Sequence, residues 1–425
     1  MRGKSRPHLS SSCKPLHSKR YFRGHLGING NPNPKVGSVW EHTSPRFPEC
    51  YILLLPFFMR TRYAKWMYDW ETRLTTRDTN RIVRPFEWGL DWTDSFCLNG
   101  SSPKPGPNLE DYFHRLNDHI VAHSDEFYSY KTPTDFRLER RPAMRMGTGA
   151  NALPEPEQPE MADFLRFTSP VRTPYPQNDL VNARWFPAKK PNGRAMIVLP
   201  QWNSDAFGHN ALCQIFNWFG VSALRLSKPY HDIRKPTEIE RADYAVSANI
   251  GRTISACHQA VADIRSCLDW LERQGYQEFG VLGTSLGSCY AFIASAHEPR
   301  LKVNAFNHAS TYFADVVWTG QSTRHIREGI EHAITLESLR QSWLSISPMA
   351  YFDKYARWPK RSLVVYAKYD LTFLPEFSRQ VVENFQKWKL NYRAAVLPCG
   401  HYTTGETPFK YMDAWHLGRF VATAF

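Results

Sequence analysis

Residues 279–291 read Phe-Gly-Val-Leu-Gly-Thr-Ser-Leu-Gly-Ser-Cys-Tyr-Ala. A short apolar run ends in the pattern Gly-x-Ser-x-Gly, and small and apolar residues that suit a helix follow at once. This pattern predicts a strand, a sharp turn and a helix, with Ser285 at the apex of the turn. Gly283 and Gly287 flank the turn because a side chain at either position would collide with the strand or helix packed beside it.

A serine at such an apex is suited to nucleophilic catalysis. Its hydroxyl is a weak nucleophile unless it is exposed and lies next to a base. The backbone N–H of Leu286 begins the predicted helix, where it can donate a hydrogen bond to a developing oxyanion. The five-residue pattern also arises by chance, because glycine and serine are common, so the strand–turn–helix context carries the interpretation.

Positive charge is concentrated at the start of the chain. The net charge is +13, and residues 1–66 contain twelve Lys and Arg against two acidic residues, so the other 359 residues carry only +3. The near-neutral remainder argues against nucleic-acid binding. We expect residues 1–50 to be a basic, disordered leader. An organelle-targeting segment, or a true start at Met59 or Met67, are the alternatives.

The composition argues against a transmembrane segment and against a metal site or cofactor. The longest apolar run, Tyr51–Met59, is too short to span a bilayer. The eight Cys form no CxxC pair, so neither a disulfide framework nor a zinc site is expected, and a reducing, cytoplasmic location fits best. Neither a phosphate loop nor a dinucleotide fingerprint is found. Four histidines without partners at metal-ligand spacing are interpreted as structural or surface groups: His209, His231, His258 and His308.

The chain divides into three predicted parts. Residues 51–160, after the leader, are expected to form an aromatic-rich helical extension that ends in a linker from Thr132 to Glu160. We interpret the extension as packing over the main domain, with a wall of a lipophilic substrate site as the alternative. Residues 161–425 alternate strands and helices, which predicts a mainly parallel sheet flanked by helices, with a helical lid insert at about 311–351.

The predicted elements of residues 161–425 follow the hydrophobic pattern and the turn residues. Two antiparallel edge strands are expected at 164–170 and 180–187. Further strands are expected at 194–199, 221–226, 279–284, 301–306, 361–366 and 393–397. Helices are expected at 211–219, 240–274, 376–388 and 408–425.

Two further loops at strand ends carry candidate chemistry, and ligands of parallel sheets bind at such ends. Asp370 follows a buried strand, and His401 follows the last strand, where Gly400 allows a sharp turn. Taken singly, the aspartate could be a turn or helix-cap residue and the histidine a surface residue. Together, the order Ser…Asp…His predicts a catalytic triad of Ser285, Asp370 and His401. Asp315 is the reserve acid.

The span from about Phe164 to Phe425 resembles proteins of the α/β-hydrolase fold. Three motifs more narrowly resemble the branch related to abhydrolase domain-containing protein eighteen. They are Lys-Pro-Tyr at 228–230 with Arg-Lys-Pro at 234–236, Trp-Leu-Glu-Arg-Gln-Gly-Tyr at 270–276, and Gly-His-Tyr-Thr-Thr-Gly at 400–405. The resemblance implies an α/β-hydrolase fold with active-site Ser285, Asp370 and His401.

One loop departs from the pattern common in lipases. The first strand end reads Leu-Pro-Gln-Trp-Asn at 199–203 instead of a His-Gly sequence. The backbone N–H of Gln201 or Trp202 is therefore the candidate second oxyanion donor, beside that of Leu286. Tyr230 and Arg234 are interpreted as turn residues, with substrate contact as the alternative.

These features predict a serine hydrolase that cleaves a carboxylic ester of a lipophilic acyl group through an acyl-enzyme. An amidase, peptidase or acyltransferase would use the same triad, and an inactive hydrolase fold used as a binding module is the alternative from another class. The expected partner is a small-molecule or lipid acyl substrate. The basic leader leaves peripheral contact with anionic membranes open, and the oligomeric state is open too.

Overall fold

The computed structural model describes residues 57–96, 102–143 and 160–425. The predictions for the leader, residues 1–50, lie outside the described residues. Among the described helices, none combines the length and the hydrophobicity that crossing a bilayer requires.

Within the described residues, one sheet forms the centre of the fold. Its strands are Arg137–Pro142 (β1), Met161–Thr168 (β2), Leu180–Phe186 (β3), Arg194–Leu199 (β4), Ser222–Leu226 (β5), Glu278–Thr284 (β6), Leu301–Asn307 (β7), Arg361–Ala367 (β8) and Tyr392–Leu397 (β9). Their order is β1-β2-β3-β5-β4-β6-β7-β8-β9. The six neighbouring strands β5, β4, β6, β7, β8 and β9 are parallel to one another. Strand β1 pairs antiparallel with β2, β2 with β3, and β3 with β5. The predicted mainly parallel sheet is thus confirmed.

Helices cover both faces of this sheet. The longer ones are Phe57–Thr76 (α1), Leu109–Ala122 (α2), Asn210–Trp218 (α5), Ile250–Arg273 (α6), Leu286–His297 (α7), Pro375–Lys387 (α12) and Phe409–Ala424 (α13). The shorter ones are Ser124–Phe127 (α3), Pro176–Asp179 (α4), Phe313–Thr319 (α8), Arg324–Ile330 (α9), Leu336–Ser342 (α10) and Phe352–Tyr355 (α11), with 3₁₀ turns between several of them. Helices α2, α6, α7 and α12 contribute to one hydrophobic core, and α1, α5 and α13 to the other.

Strand β4 shows why the sequence produces two cores. Successive side chains of a strand point to opposite faces of its sheet. Ala195, Ile197 and Leu199 pack in the core that contains α6 and α7, whereas Met196 and Val198 pack in the core that contains α5 and α13. An uninterrupted apolar run therefore marks a strand that is covered on both sides.

Two predicted elements are wrong in their bounds. The helix expected at 240–274 begins at Ile250, because the side chain of Asn249 accepts the N–H of Arg252 at 2.8 Å and caps the helix there. The linker expected at Thr132 to Glu160 contains β1, which pairs antiparallel with β2. Its sequence, Arg-Leu-Glu-Arg-Arg-Pro, lacks apolar alternation because β1 is a largely exposed edge strand, and charges protect such edges.

The position of the antiparallel strands also differs from the prediction. Strands β2 and β3 were expected at an edge, but β2 lies between β1 and β3, and β3 pairs with β5. The insert between β7 and β8 is helical as predicted and contains α8 to α11.

Candidate active site

Ser285 occupies a strained turn between β6 and α7. Its φ is 58° and its ψ is −121°, a conformation that residues with a side chain rarely adopt. A Cβ at Gly283 would overlap the backbone of Gly287, and a Cβ at Gly287 would overlap the carbonyl of Leu199. The strain is held by a hydrogen bond from the Ser285 N–H to the carbonyl of Asn307 at 2.7 Å.

The three predicted triad side chains meet at one end of the sheet. Ser285 Oγ lies 3.0 Å from His401 Nε2, and His401 Nδ1 lies 2.9 Å from Asp370 Oδ2. The ring of Phe373 stacks on the imidazole, with centroids 5.3 Å apart and planes 8° apart. Three residues that are distant in sequence thus form a continuous chain of hydrogen bonds.

The carboxylate of Asp370 accepts four hydrogen bonds. Its Oδ1 accepts the backbone N–H groups of Thr372 at 2.8 Å and Phe373 at 2.7 Å. Its Oδ2 accepts Nδ1–H from both His401 and His308, the latter at 3.0 Å. Burial raises the pKa of Asp370, but the two imidazoles outweigh it and hold that pKa well below its ordinary value. The group is therefore a carboxylate that can only accept, and it fixes the Nδ1–H tautomer of each ring.

His308 was not predicted to belong to this site. The sequence indicates a structural or surface histidine; the structure shows it buried, hydrogen-bonded to Asp370 and with its ring centroid 4.5 Å from that of His401. Burial lowers the pKa of His308 and the nearby His401 lowers it further, and together they outweigh Asp370, which raises it, so the environment favours the neutral ring. His308 directly follows β7, which lies between β6 and β8 in the sheet, so the strand-end argument used for Asp370 could have found it.

The same cluster offers the donor atoms that a metal ion would need. The ligand atoms of His308, Asp370 and His401 lie within 4.8 Å of one another. Both imidazoles use Nδ1 for a hydrogen bond to this carboxylate, so in this arrangement Nδ1 of neither ring is free to bind a metal ion.

The electrostatic environment of His401 favours its charged form. Burial lowers the pKa of His401, but the carboxylate of Asp370, the hydrogen bond to it and the charge of Glu71 on α1 outweigh that, and the pKa lies above its ordinary value of 6.5. A histidine that is to accept a proton from a serine benefits from such a shift, because the imidazolium that forms is stabilised.

Ser285 opens into a cavity of about 1370 Å³. Its wall includes apolar side chains from the insert and from α5 and α13, which are Leu212, Ile215, Phe313, Val316, Val317 and Leu417. Other wall residues are polar or charged, and they include Arg77, Asp78, Thr79 and Asn80 from the N-terminal extension. The extension thus contributes to the wall through its polar residues, and its buried Trp92 instead packs within the fold.

The candidate oxyanion residues Gln201, Trp202 and Leu286 also line the cavity. Lys228 donates from Nζ to the carbonyl of Gln201 at 3.0 Å, and the indole N–H of Trp202 donates to the carbonyl of Ala242 at 3.0 Å. The guanidinium of Arg241 lies over the Trp202 ring, 5.4 Å from its centroid. The loop after β4 is therefore held from two sides.

Two of the remaining predicted candidates have structural partners, and the third lines the cavity. Asp315, the reserve acid, is buried and pairs with Arg340 at 2.6 Å, away from the imidazoles. Arg234 is fully buried and pairs with Asp263 at 2.8 Å. Tyr230 is buried and contributes to the cavity wall.

A family model described as alpha/beta hydrolase domain containing 18 matches residues 214–386. No curated protein matches the chain at a significant level. Similar solved structures include acetyl xylan esterase 1 from Thermoanaerobacterium sp. JW/SL YS485, at 14% identity and a TM-score of 0.49, covering 79% of this chain and 99% of that one. The acylaminoacyl peptidase of Pyrococcus horikoshii, at 10% identity and a TM-score of 0.47, covers 63% and 45%. The esterase Pf2001 of Pyrococcus furiosus, at 13% and 0.44, covers 61% and 88%.

At these levels of identity and superposition, the similarities to solved structures do not bear on the reaction or the substrate. The family match spans the strained turn with Ser285 and the loop with Asp370, and it ends before His401. The parallel sheet, the strained serine turn and the helices on both faces give the chain an α/β-hydrolase fold, and over residues 214–386, about two fifths of its length, the chain is similar to the family of alpha/beta hydrolase domain containing 18.

Proposed function

We propose that the chain is a serine hydrolase that cleaves a carboxylic ester through an acyl-enzyme on Ser285. The observation that supports this most directly is the pair of hydrogen bonds that link Ser285, His401 and Asp370, at 3.0 and 2.9 Å. His401 accepts the proton of the serine hydroxyl as Oγ attacks the acyl carbonyl, and Asp370 steadies the imidazolium. The imidazolium then protonates the leaving alcohol, and water releases the acyl group by the same steps in reverse.

Two backbone N–H groups are proposed to stabilise the oxyanion, and the first is that of Leu286 at the start of α7. For the second, the peptide geometry favours Trp202 over Gln201. The carbonyl of Gln201 accepts from Lys228 Nζ at 3.0 Å and from the N–H of Ser204 at 3.2 Å. In a planar trans peptide the following N–H points the opposite way, so the N–H of Trp202 is directed away from Lys228.

The cavity supports a lipophilic acyl group as the substrate. Apolar side chains of the insert and of two helices form part of the wall beside Ser285, and about 1370 Å³ is room for a medium-sized acyl chain with its alcohol. An amide or an acceptor alcohol would use the same nucleophile and base. The ester is proposed because an alcohol leaves more readily than an amine.

The test is labelling of the purified protein with a fluorophosphonate probe, with the modified peptide located by mass spectrometry. We expect one modified residue, Ser285, and no labelling of Ser285→Ala. Ser129→Ala, at an exposed serine outside the cavity, should label at the wild-type rate. Undiminished labelling of Ser285→Ala would refute the assignment.

Turnover of a p-nitrophenyl ester series then measures the acyl preference. We expect a maximum at a medium chain length and little turnover of matching p-nitroanilides. A wild-type protein that folds, binds acyl ligands and is neither labelled nor active would instead identify a binding module.

A further inference from the structure

The loop that carries His401 is held by a helix from the opposite end of the chain. Helix α1 presents Tyr63, Met67 and Glu71, spaced four residues apart and therefore on one face. Tyr63 Oη donates to the carbonyl of Pro398, and Thr403 Oγ1 lies 3.5 Å from Met67 Sδ. One face of α1 thus contacts the loop both before and after His401.

Glu71 makes the most specific of these contacts. Its side chain is fully buried, and its Oε1 accepts the backbone N–H of Tyr402 at 2.8 Å. Its Oε2 accepts the N–H of Thr403 at 2.9 Å and the Thr403 hydroxyl at 3.0 Å. Three hydrogen bonds therefore fix the two residues that directly follow His401.

The carboxylate of Glu71 occupies space that is open because residue 400 is a glycine. A Cβ at position 400 would overlap Cγ, Cδ and Oε2 of Glu71, so the glycine leaves the space that the carboxylate occupies. Glu71 therefore contacts the residues on both sides of His401, packing against Gly400 and accepting a hydrogen bond from Tyr402. A buried carboxylate is costly unless it is hydrogen-bonded, and among the described residues the side-chain hydrogen bonds of Glu71 go to Tyr402 and Thr403, in the loop that carries His401.

We propose that Glu71 is a positioning residue of the active site, which holds the loop of His401 so that the imidazole reaches Ser285. This inference rests on the function proposed above. If Glu71 has this role, helix α1 is part of the active site, although the sequence predicts that it belongs to an extension packed over the main domain. The negative charge of Glu71 also favours the imidazolium.

The test measures the rate of fluorophosphonate labelling against pH for the wild type, Glu71→Gln and Glu71→Ala. Besides Glu71, three titratable groups lie close to His401, and they are Asp370, His308 and Tyr402. Three charged groups act in turn on Tyr402, and they are Arg81, Asp78 and Arg241. All of these stay the same in the Glu71 variants. We expect at least a tenfold lower plateau rate in Glu71→Ala, and an intermediate rate in Glu71→Gln, whose amide oxygen still accepts. Both variants lose the charge, so the acid limb should move to lower pH in both.

Asp69→Asn is the matched control, because it removes one negative charge from an exposed position of the same helix. It should change neither the plateau nor the acid limb. Hydrogen exchange gives an independent readout, since the amides of Tyr402 and Thr403 should lose protection in Glu71→Ala.

Gly400→Ala provides a second variant if Glu71→Ala fails to fold. It keeps Glu71 but displaces the carboxylate, so it should reproduce the lower plateau. Folded Glu71 variants with the wild-type plateau and acid limb would overturn the positioning role, even if they unfold at lower urea. Absence of labelling in the wild type would instead overturn the proposed function itself, so the two failures are distinguishable.

Discussion

His308 Nδ1 lies 3.0 Å from Asp370 Oδ2, an oxygen that already accepts a hydrogen bond from another imidazole. The site therefore has two histidines on one carboxylate, and only one of them reaches the serine. Asp370 and His308 are both buried, so the hydrogen bond between them lies away from bulk solvent. It holds the carboxylate in the ionised form and in the orientation that His401 needs.

We predict that His308→Ala lowers both stability and activity. Loss of a hydrogen bond to a buried charged group costs about 1.5–3 kcal/mol, so the free energy of unfolding in urea should fall by at least that amount. The labelling rate of the folded protein should fall about tenfold, because the orientation of Asp370 is less fixed.

His258→Ala is the control for this prediction. His258 is also buried, but it stacks on Phe127, with ring centroids 4.3 Å apart, and not on the site. It should lose stability without a change in the labelling rate of the folded fraction. Equal effects of the two substitutions on labelling would contradict the role of His308.

Asp370→Asn should reduce ester turnover by about 10⁴-fold with little change in KM. The amide oxygen can still accept from Thr372 and Phe373, so the loop keeps its shape. The amide NH₂ then faces Nδ1 of both imidazoles and disfavours their Nδ1–H tautomers. Steady-state kinetics measure the loss.

Asp315→Asn tests whether Asp370 or Asp315, the reserve acid, is the acid of the triad. Asp315 pairs with Arg340 and does not contact the imidazoles, so we expect lower stability and near-normal kcat for this variant. A larger loss of kcat in Asp315→Asn than in Asp370→Asn would reverse the assignment.

The part of the site that could be predicted follows from a single rule. In a parallel sheet, side chains that follow different strands meet at the carboxyl edge. Ser285 directly follows a predicted strand, and Asp370 and His401 lie in the short loops after two others, so their proximity could be inferred without coordinates, while their catalytic roles stay predictions. His308 satisfies the same rule, but metal-ligand spacing along the chain, on which the interpretation of the histidines depends, does not indicate it.

Glu71 could not have been found in this way. It contacts Tyr402 and Thr403 across 331 and 332 residues of sequence, and its own helix has no motif. The start of α6 and the presence of β1 also could not be predicted from the hydrophobic pattern. Asn249 acts through a local cap, and β1 lacks the apolar pattern because neither of its faces is well covered.

The pH dependence of labelling should have an acid limb above pH 6.5. In the proposed mechanism, attack by Ser285 requires neutral His401, so protonation of this ring should abolish the rate. Burial lowers the pKa of His401, but Asp370 and Glu71 outweigh it and raise the pKa above 6.5, so the rate should fall as the pH drops through that higher value.

Asp413 is the control for the pH profile. Burial raises the pKa of this cavity residue to about 7, while the hydrogen bonds from Asn307 Nδ2 oppose the shift. Its titration could therefore imitate that of His401. If the limb belongs to His401, Asp413→Asn keeps it in place. Disappearance of the limb in that variant would assign it to Asp413.

Lys228→Met should separate activity from stability. Lys228 is buried, and burial holds its pKa well below the ordinary value. Replacing a buried amine by an apolar side chain of similar volume is often neutral or stabilising, so urea unfolding should show no loss. The carbonyl of Gln201 nevertheless loses one of its two donors and keeps only the N–H of Ser204, so the peptide between Gln201 and Trp202 is less firmly oriented. Because the oxyanion contact exists only in the transition state, kcat should fall on the order of tenfold or more with KM almost unchanged.

Lys360→Met is the matched control. Lys360 is likewise buried and donates to the carbonyls of Glu298 and Leu301, which lie at the amino end of β7 and therefore at the opposite edge of the sheet. Its loss should leave kcat unchanged. If Lys228→Met keeps the wild-type kcat, the peptide is oriented without the amine, and the choice of Trp202 over Gln201 as the second oxyanion donor loses its physical basis. The split between kcat and stability is the informative result, because a purely structural lysine would affect stability alone.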